Sequence, residues 1–265
     1  MEVRKMGGIR LLTMDEKPAN TLTPVVLHEL AGLLRDLEKD RGARTVVLCS
    51  RLPTVFSSGL ELRELTLRSR TQASLSLIRM VRQVYGIVKR IRSSRLIYIA
   101  SLHGAVIGSA VSLAAACDFR FAWKSAWFWI PDPLYGGLLA DGGLTCICEW
   151  VGVQGAYQFC MTNARISARE AQSLGFISQC TESDSLPTAL DFAKSLEHCA
   201  ENTLYETKQL LRKRQGLSFP WRQLIRIAVS ADWRDRLQEI QTKGNKRYEA
   251  SGENHYRNRR RRRHR

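Results

Sequence analysis

Residues 128–137, FWIPDPLYGG, place a single carboxylate among aromatic and rigid side chains. Asp132 lies between Pro131 and Pro133, after an aromatic run and before two glycines. A carboxyl group in apolar surroundings keeps its proton to a higher pH than usual, which suits a group that takes up and returns protons near neutral pH. The segment therefore predicts an acid–base residue, with an ordinary acidic turn as the alternative.

Two other segments predict backbone N–H groups that are free to bind a ligand. Residues 55–62, VFSSGLEL, leave an apolar strand through a Ser/Gly turn, and residues 103–118, HGAVIGSAVSLAAACD, put glycine and small residues before an alanine-rich helical run. N–H groups at such turns can hold an oxyanion. An ordinary connection and tight helix packing are the alternatives. The second segment lacks the G-x-G-x-x-G spacing of dinucleotide-binding sites.

A second carboxylate follows in Asp141-Gly142-Gly143, which is also a typical Asp-Gly turn. Metal ligation is not indicated, because Cys146 and Cys148 form only a C-x-C pair with no matching Cys/His pair. The seven cysteines are an odd number, and Cys117, Cys160 and Cys180 lie in apolar surroundings, which favours free thiols in a reducing compartment.

The elements around these segments alternate between strands and helices. Short apolar runs at 9–14, 45–50 and 96–101 predict strands, and helical spacing of apolar residues predicts helices over 25–39 and 74–92. Thr23-Pro24 is typical of a helix start, and Ser167 to Glu170 fits a capping box. This order predicts an α/β fold with mostly parallel strands, because parallel neighbours need a crossover.

The C-terminal part of the sequence has a different character. From Ser167 the pattern is mainly helical, with three helical stretches in 187–249. Residues 257–265 contain seven arginines, and removing them lowers the net charge of +16 to +9. Such a run is typical of a disordered tail that contacts polyanions. No secretory signal is expected at the N-terminus and no membrane span anywhere, since no apolar stretch is long enough.

Taken together, these motifs resemble the crotonase (enoyl-CoA hydratase/isomerase) superfamily over about residues 8–250. The family pattern FSAG-x-D-L appears as FSSGLEL at 56–62, and its second motif matches His103-Gly104 through Cys117-Asp118. A later pattern matches AREAQSLGFI at 168–177. Residues 18–40 and 54–65 look most like a mitochondrial-type Δ3-Δ2-enoyl-CoA isomerase.

The resemblance implies an architecture and a setting. We expect a crotonase-like β-β-α spiral core over 1–190, a helical oligomerisation region over 191–250 and a basic disordered tail over 251–265. It also implies a homotrimer, or a subunit locked into a hetero-complex, in the mitochondrial matrix.

The resemblance further implies a chemistry with an acyl-CoA substrate and no other cofactor. Backbone N–H groups of Leu60 and Ser109 would bind the thioester oxygen, and Asp132 or Asp141 would carry the proton. The positions implied to contact substrate are Ser58, Gly59, Arg63 and Gly108.

Several positions depart from the family pattern. Ser112 occupies the position of the first hydratase glutamate, so an isomerase with one carboxylate fits better than a hydratase with two. Asp132 is one methylene shorter than the glutamate it replaces, a retreat of about 1.5 Å. The glycine triplet becomes Gly108-Ser109-Ala110, and His103, where asparagine is usual, is expected to be structural.

Three functions follow as alternatives. The first is an enoyl-CoA isomerase that uses Asp132, and the second is a catalytically degenerate homologue acting as a structural subunit. The third is an RNA-binding homologue, for which the arginine-rich tail is the main support. A cavity filled by Trp127, Trp129 or Tyr135 would favour the structural subunit.

Overall fold

The computed structural model describes residues 1–67 and 69–213, together with residues 225, 229 and 238. The predicted basic tail over 251–265 lies outside the described residues, as does most of the predicted helical region beyond 213. The division into a core, an oligomerisation region and a tail therefore stays a prediction.

A large sheet of six strands runs through the molecule in the order β1-β2-β3-β5-β7-β10. These strands are β1 Glu2–Met6, β2 Ile9–Met14, β3 Thr45–Ser50, β5 Ile97–Leu102, β7 Phe119–Trp123 and β10 Gln179–Thr181. Only the β1–β2 pair is antiparallel, and the remaining pairs are parallel. The predicted strands are confirmed, with β5 beginning one residue later than expected.

A second, smaller sheet lies beside the first, in the order β4-β6-β8-β9. Its strands are β4 Val55–Ser57, β6 Ala105–Ile107, β8 Trp127–Trp129 and β9 Ile166–Ser167. The first three are parallel to one another. These three strands were not predicted, because a strand of three residues is too short to show an alternating pattern.

Helices connect the strands. They are α1 Pro24–Lys39, α2 Arg63–Thr66, α3 Arg70–Ser93, α4 Ser109–Ala116, α5 Gly143–Met161, α6 Ala168–Ser173, α7 Leu186–Leu196 and α8 Glu201–Lys213. The predicted caps form: the Thr23 hydroxyl accepts from the Val26 N–H at 3.2 Å, and Ser167 and Glu170 make a capping box. A further box at Ser69 starts α3 four residues before the predicted helix.

The chain repeats one unit three times: a strand of the large sheet, a strand of the small sheet, then a helix. These units are β3-β4-α3, with the short α2 between, then β5-β6-α4, then β7-β8-α5. The predicted β-β-α spiral is thereby confirmed. In each turn a strand of the small sheet is followed directly by a loop into a helix.

The core lies on both faces of the large sheet. Val46 and Leu48 of β3 pack into the main core with α1, α3 and α4, whereas Val47 faces a second core under α7. Burial on both faces explains why this strand is a continuous apolar run. Every residue of α4 is buried, which its small side chains permit.

The described part of the C-terminal helical region is attached to the core. In α8, Lys208 Nζ donates to Asp118 Oδ2 at 2.9 Å, and Arg212 Nη2 donates to Asp118 Oδ1 at 2.7 Å. Helix α7 spans position 190, where the predicted core ends. Within the described residues, no helix has the length and apolar character needed to cross a membrane.

Candidate active site

The small sheet assembles the site. Strands β4, β6 and β8 run parallel, so their carboxyl ends meet at one edge. Beyond that edge lie Ser58 to Leu60 after β4, Gly108-Ser109 after β6, and Pro131-Asp132 after β8. The three segments singled out in the sequence are therefore brought together by one structural feature.

The loop after β4 is held by residues 19–22. The Ser58 N–H donates to the Ala19 carbonyl at 3.0 Å, and the Leu22 N–H donates to the Gly59 carbonyl at 2.8 Å. The Asn20 side chain lies beneath, where its Nδ2 donates to the Phe56 carbonyl at 2.9 Å. These contacts leave the Leu60 N–H without an acceptor among the described residues.

The second N–H group starts α4. Ser109 is the first residue of that helix, and within the described residues its N–H donates no hydrogen bond. Unpaired N–H groups at a helix start carry partial positive charge. Gly108, with φ of 55°, turns the chain from β6 into this helix.

Gly59 shows how close the two loops are. It has φ of 80°, and a β-carbon there would lie 2.5 Å from the Ile107 carbonyl oxygen and 3.4 Å from the Ser109 nitrogen. Only glycine allows this approach. The Leu60 and Ser109 N–H groups consequently flank one small space, which is the arrangement that an oxyanion requires.

A cavity of about 70 Å³ opens at this point. Its polar residues are Ser58, Ser109, Asp132 and Asp141. Its apolar lining comes from the β4 loop, α3, the end of β6 and the 131–140 segment: Leu60, Leu62, Leu77, Val81, Ile107, Pro131, Leu138, Leu139 and Ala140. Tyr135, Gly108 and Gly137 complete the lining. An apolar cavity with a few converging polar groups is typical of a ligand site.

Asp132 opens a short 3₁₀ helix, Asp132–Tyr135, directly after β8. The Gly137 N–H donates to the Asp132 carbonyl at 2.7 Å, which closes the turn behind it. Although the residue is only partly buried, its carboxyl lies among protein atoms, and this desolvation raises the pKa of Asp132 to about 7. The negative charge of Asp141 raises the pKa further in the same direction.

Asp141 is buried at the start of α5. Its Oδ1 accepts from the Ser112 hydroxyl at 2.8 Å and from the Gly143 N–H at 3.0 Å. Its Oδ2 is buried and has no hydrogen-bond partner in the described structure. Desolvation raises the pKa of the Asp141 carboxyl, while the nearby Ser109 hydroxyl and the two hydrogen bonds at Oδ1 oppose that rise.

Most of the site residues predicted from the sequence line the cavity, and two do not. Ser58, Leu60, Gly108, Ser109 and both aspartates line the cavity, whereas Gly59 lies behind it. Arg63 is exposed on α2 and does not line the cavity.

The aromatic and histidine residues around the site have structural partners. Trp127 stacks on the Arg165 guanidinium at 4.3 Å, and the Trp129 indole N–H donates to Asn163 at 2.8 Å, so neither tryptophan lines the cavity. His103 Nε2 lies 2.6 Å from the Leu52 carbonyl, in line with the structural role expected of it. Tyr135 alone of the three suspected aromatic residues reaches the cavity wall.

The apolar wall of the cavity and the turn that holds the β4 loop were not predicted from the sequence. Leu77 and Val81 belong to the predicted helix, but their spacing could not tell a core face from a cavity wall. Residues 18–23 had no predicted role beyond the Thr23 helix start and their share in the family resemblance. The one sequence feature that could have indicated the turn is Asn20, because asparagine tolerates positive φ better than most residues. In the structure Asn20 has φ of 48° and is buried.

Comparisons with known proteins show the family and the fold. The family model described as "Enoyl-CoA hydratase/isomerase" matches residues 4–250. A probable enoyl-CoA hydratase of Bacillus subtilis is 30% identical over 171 residues, which are 64% of each chain. The bovine "Enoyl-CoA hydratase domain-containing protein 2, mitochondrial" is also 30% identical over 171 residues, 64% of this chain and 56% of that protein. The match thus spans less than two thirds of either relative.

Solved structures cover more of the chain. The crystal structure of an enoyl-CoA hydratase/isomerase from Mycobacterium paratuberculosis has a TM-score of 0.78 and 25% identity, covering 90% of this chain and 97% of that one. An enoyl-CoA hydratase from Bacillus halodurans has a TM-score of 0.81 at 20% identity, covering 90% and 98%. The latter likeness concerns the fold alone.

Proposed function

The chain belongs to the enoyl-CoA hydratase/isomerase family, and from this premise we propose that it isomerises 3-enoyl-CoA thioesters to 2-enoyl-CoA thioesters, with Asp132 as the base. The observation that carries the proposal is the position of Asp132. It shares one cavity with Leu60 and Ser109, whose N–H groups donate to no acceptor within the part of the chain that the structure describes. The Asp132 pKa of about 7 also suits proton transfer in both directions.

In this mechanism the thioester oxygen accepts hydrogen bonds from the Leu60 and Ser109 N–H groups. The Asp132 carboxylate takes a proton from C2, and the electron pair moves into the thioester carbonyl to give a dienolate. The two N–H groups stabilise its oxyanion, because their dipoles are already oriented in a desolvated site. Protonated Asp132 then returns the proton at C4, which leaves the double bond between C2 and C3.

The reaction moves one proton and changes no oxidation state, so we propose that no cofactor is needed beyond the CoA group of the substrate. The apolar wall of Leu62, Leu77 and Val81 suits the acyl chain. The likeness to the bovine relative also supports a mitochondrial location, which microscopy of the tagged protein would test.

Purified protein mixed with a 3-enoyl-CoA tests the proposal. We expect the absorbance of the conjugated 2-enoyl thioester to appear, and Asp132→Asn to lower kcat by about 10²–10⁴-fold, since loss of a general base has that effect. Asp191→Asn is the control, because Asp191 pairs with Lys194 on the exposed face of α7, away from the cavity. Full activity in Asp132→Asn, or no turnover by the unaltered protein, would refute the proposal.

A second candidate function uses both aspartates. Asp132 and Asp141 line the same cavity, so one could remove a proton at C2 while the other delivers one farther along a conjugated chain. A 3,5-dienoyl-CoA would then give a 2,4-dienoyl-CoA. Assay of both substrates distinguishes the two functions: the second predicts that Asp141→Asn abolishes conversion of the dienoyl substrate.

The structural-subunit alternative is less well supported. Trp127 and Trp129 pack away from the cavity, so they do not fill the space where substrate would bind. The RNA-binding alternative depends on the arginine-rich tail, which lies outside the described residues. Deleting 257–265 should leave isomerisation unchanged and weaken salt-sensitive binding to polyanions.

A further inference from the structure

Ser112 occupies a position where the family pattern has a carboxylate, and its surroundings suggest a different use. The residue lies on α4 with no exposed surface, and its hydroxyl is directed at Asp141 Oδ1, 2.8 Å away. Asp141 comes from another turn of the spiral, at the start of α5. Asp141 thus places a carboxylate beside Ser112 from a neighbouring element.

Gly143 makes this contact possible. A β-carbon on Gly143 would lie 1.9 Å from the Ser112 hydroxyl oxygen and 3.0 Å from Asp141 Oδ1. Without a side chain, the start of α5 approaches Ser112 closely enough for the Gly143 N–H to donate to the same carboxylate oxygen. Both donors therefore act on Oδ1.

The two Asp141 oxygens consequently differ. Oδ1 is bonded twice, whereas Oδ2 is buried and has no partner in the described structure. A buried polar atom without a partner is unusual and calls for an explanation. Asp141 lines the cavity, and the Ser109 hydroxyl also lies near its carboxylate. The oxygen that neither Ser112 nor Gly143 bonds therefore contributes a fixed negative charge beside Asp132.

We propose that Ser112 is a positioning residue, which fixes the Asp141 carboxylate through Oδ1 so that its charge stays directed at Asp132 and the substrate. This inference rests on the proposed function, since it assigns how the base is tuned. It gives Ser112 a role that does not need the carboxylate of the family pattern.

The charged and titratable groups around Asp141 are few. Asp132 faces it from the segment after β8, and the Cys146 and Cys160 thiols face it from α5. No salt bridge of the described residues involves either aspartate. Burial holds the pKa of Cys146 at about 11 and that of Cys160 at about 12, so both thiols stay neutral and the aspartates titrate against each other.

Titration of the full chain tests the proposal without requiring turnover. The carboxyl carbons of ¹³C-labelled aspartate would be followed by NMR in the unaltered protein and in Ser112→Ala, with Asp141 assigned from Asp141→Asn. We expect the Asp141 carboxyl to titrate at higher pH in Ser112→Ala, because a hydrogen bond that favours the charged form is lost. Ser112→Thr keeps the hydroxyl and should restore the original titration.

Kinetics provide the second measurement. In Ser112→Ala the low-pH limb of kcat/KM for the 3-enoyl-CoA should move to lower pH, because a weaker charge on Asp141 no longer raises the basicity of Asp132. We also expect kcat to fall by about tenfold, as for loss of one hydrogen bond to a charged group. Ser101→Ala is the matched control, since it removes a buried Ser101–Ser185 hydroxyl contact away from the cavity.

The outcomes separate the two proposals. Unchanged Asp141 titration and an unchanged kinetic limb in Ser112→Ala would overturn the role of Ser112 while leaving the isomerase intact. A shifted titration in a protein that never turns over 3-enoyl-CoA would support the positioning role and refute the proposed function. A similar shift in Ser101→Ala would show a general effect of lost packing, and would also overturn the proposal.

Discussion

At the scale of single residues, Asp132 is a carboxyl group placed where its charge is disfavoured. Burial is the main cause and the neighbouring Asp141 charge adds to it, so the pKa rises from 3.8 to about 7. In the proposed reaction this side chain, shorter than glutamate, would reach the substrate from a closed turn, which the Gly137 N–H stabilises. Its environment thus supplies the basicity that an ordinary aspartate lacks.

The first prediction concerns pH and activity. Because Asp132 must be ionised to remove a proton, kcat/KM should rise with pH through an apparent pKa near 7 in the free protein. Asp141→Asn removes the neighbouring charge and should move this limb to lower pH. Stopped assays between pH 5 and 9 would measure kcat/KM for both proteins. A low-pH limb that does not move in Asp141→Asn would contradict the effect of the Asp141 charge on the pKa of Asp132.

The second prediction concerns pH and stability. The folded protein holds a proton on Asp132 that the unfolded chain releases above pH 3.8, so this group lowers stability progressively as pH rises towards 7. Asp132→Asn should therefore raise the free energy of unfolding at pH 8 by up to about 4 kcal/mol and have little effect at pH 4. Urea unfolding at both pH values is the measurement. Equal effects at both would argue against a raised pKa.

At the scale of elements, the small sheet decides where the chemistry lies. Its three parallel strands are very short, yet they bring the Leu60, Ser109 and Asp132 segments to one edge. The packing there depends on Gly59, which lies against the Ile107 carbonyl.

The third prediction tests that contact. Gly59→Ala places a β-carbon 2.5 Å from a backbone oxygen at φ of 80°, so the Leu60 N–H must move and kcat should fall by about 10²-fold. Gly86→Ala on α3 is the matched control, since nothing lies within 4 Å of its β-carbon, and it should be neutral or raise stability by about 0.4–1 kcal/mol. Near-normal kcat in Gly59→Ala would show that the Leu60 N–H is not required.

At the scale of the whole molecule, a buried ionic contact joins the C-terminal helix α8 to the spiral. Lys208 and Arg212 bond opposite oxygens of Asp118, and Lys208 also donates to the Ile91 and Leu96 carbonyls. Although burial alone would raise the pKa of Asp118, the two cations outweigh it and hold the pKa below the usual range. The contact thus stabilises the protein at neutral pH and is lost as acid protonates Asp118.

The fourth prediction follows from this burial. Asp118→Asn leaves two cations poorly compensated and should lower the free energy of unfolding at pH 7 by about 3–5 kcal/mol. Asp191→Asn breaks an exposed pair with Lys194 and should cost less than about 0.5 kcal/mol. Chemical denaturation of both variants is the comparison. Equal small losses would show that Asp118 does not hold α8 in place.

The sequence by itself determined the larger elements and the candidate residues. Apolar periodicity predicted the strands over 9–14 and 45–50 and the long helices, because burial of one face imposes a regular spacing. Thr23 and the Ser167–Glu170 box fixed helix starts through local hydrogen bonds. The candidate site was predicted from the two strand-to-helix turns and the isolated Asp132. The order of these segments along the chain, which resembles that of the family, supported the prediction.

Only the tertiary structure decided which groups act on one another. The small sheet could not be predicted from the sequence, because three-residue strands show no measurable alternation of apolar and polar residues. Such strands form only through pairing with distant neighbours. Ser112 and Asp141 are 29 positions apart and meet because α4 and α5 pack together, with Gly143 at the contact. The raised pKa of Asp132 likewise depends on burial and on a charge from another loop. Such long-range contacts leave no local pattern in the sequence, so the arrangement of these carboxylates becomes apparent only in the folded protein.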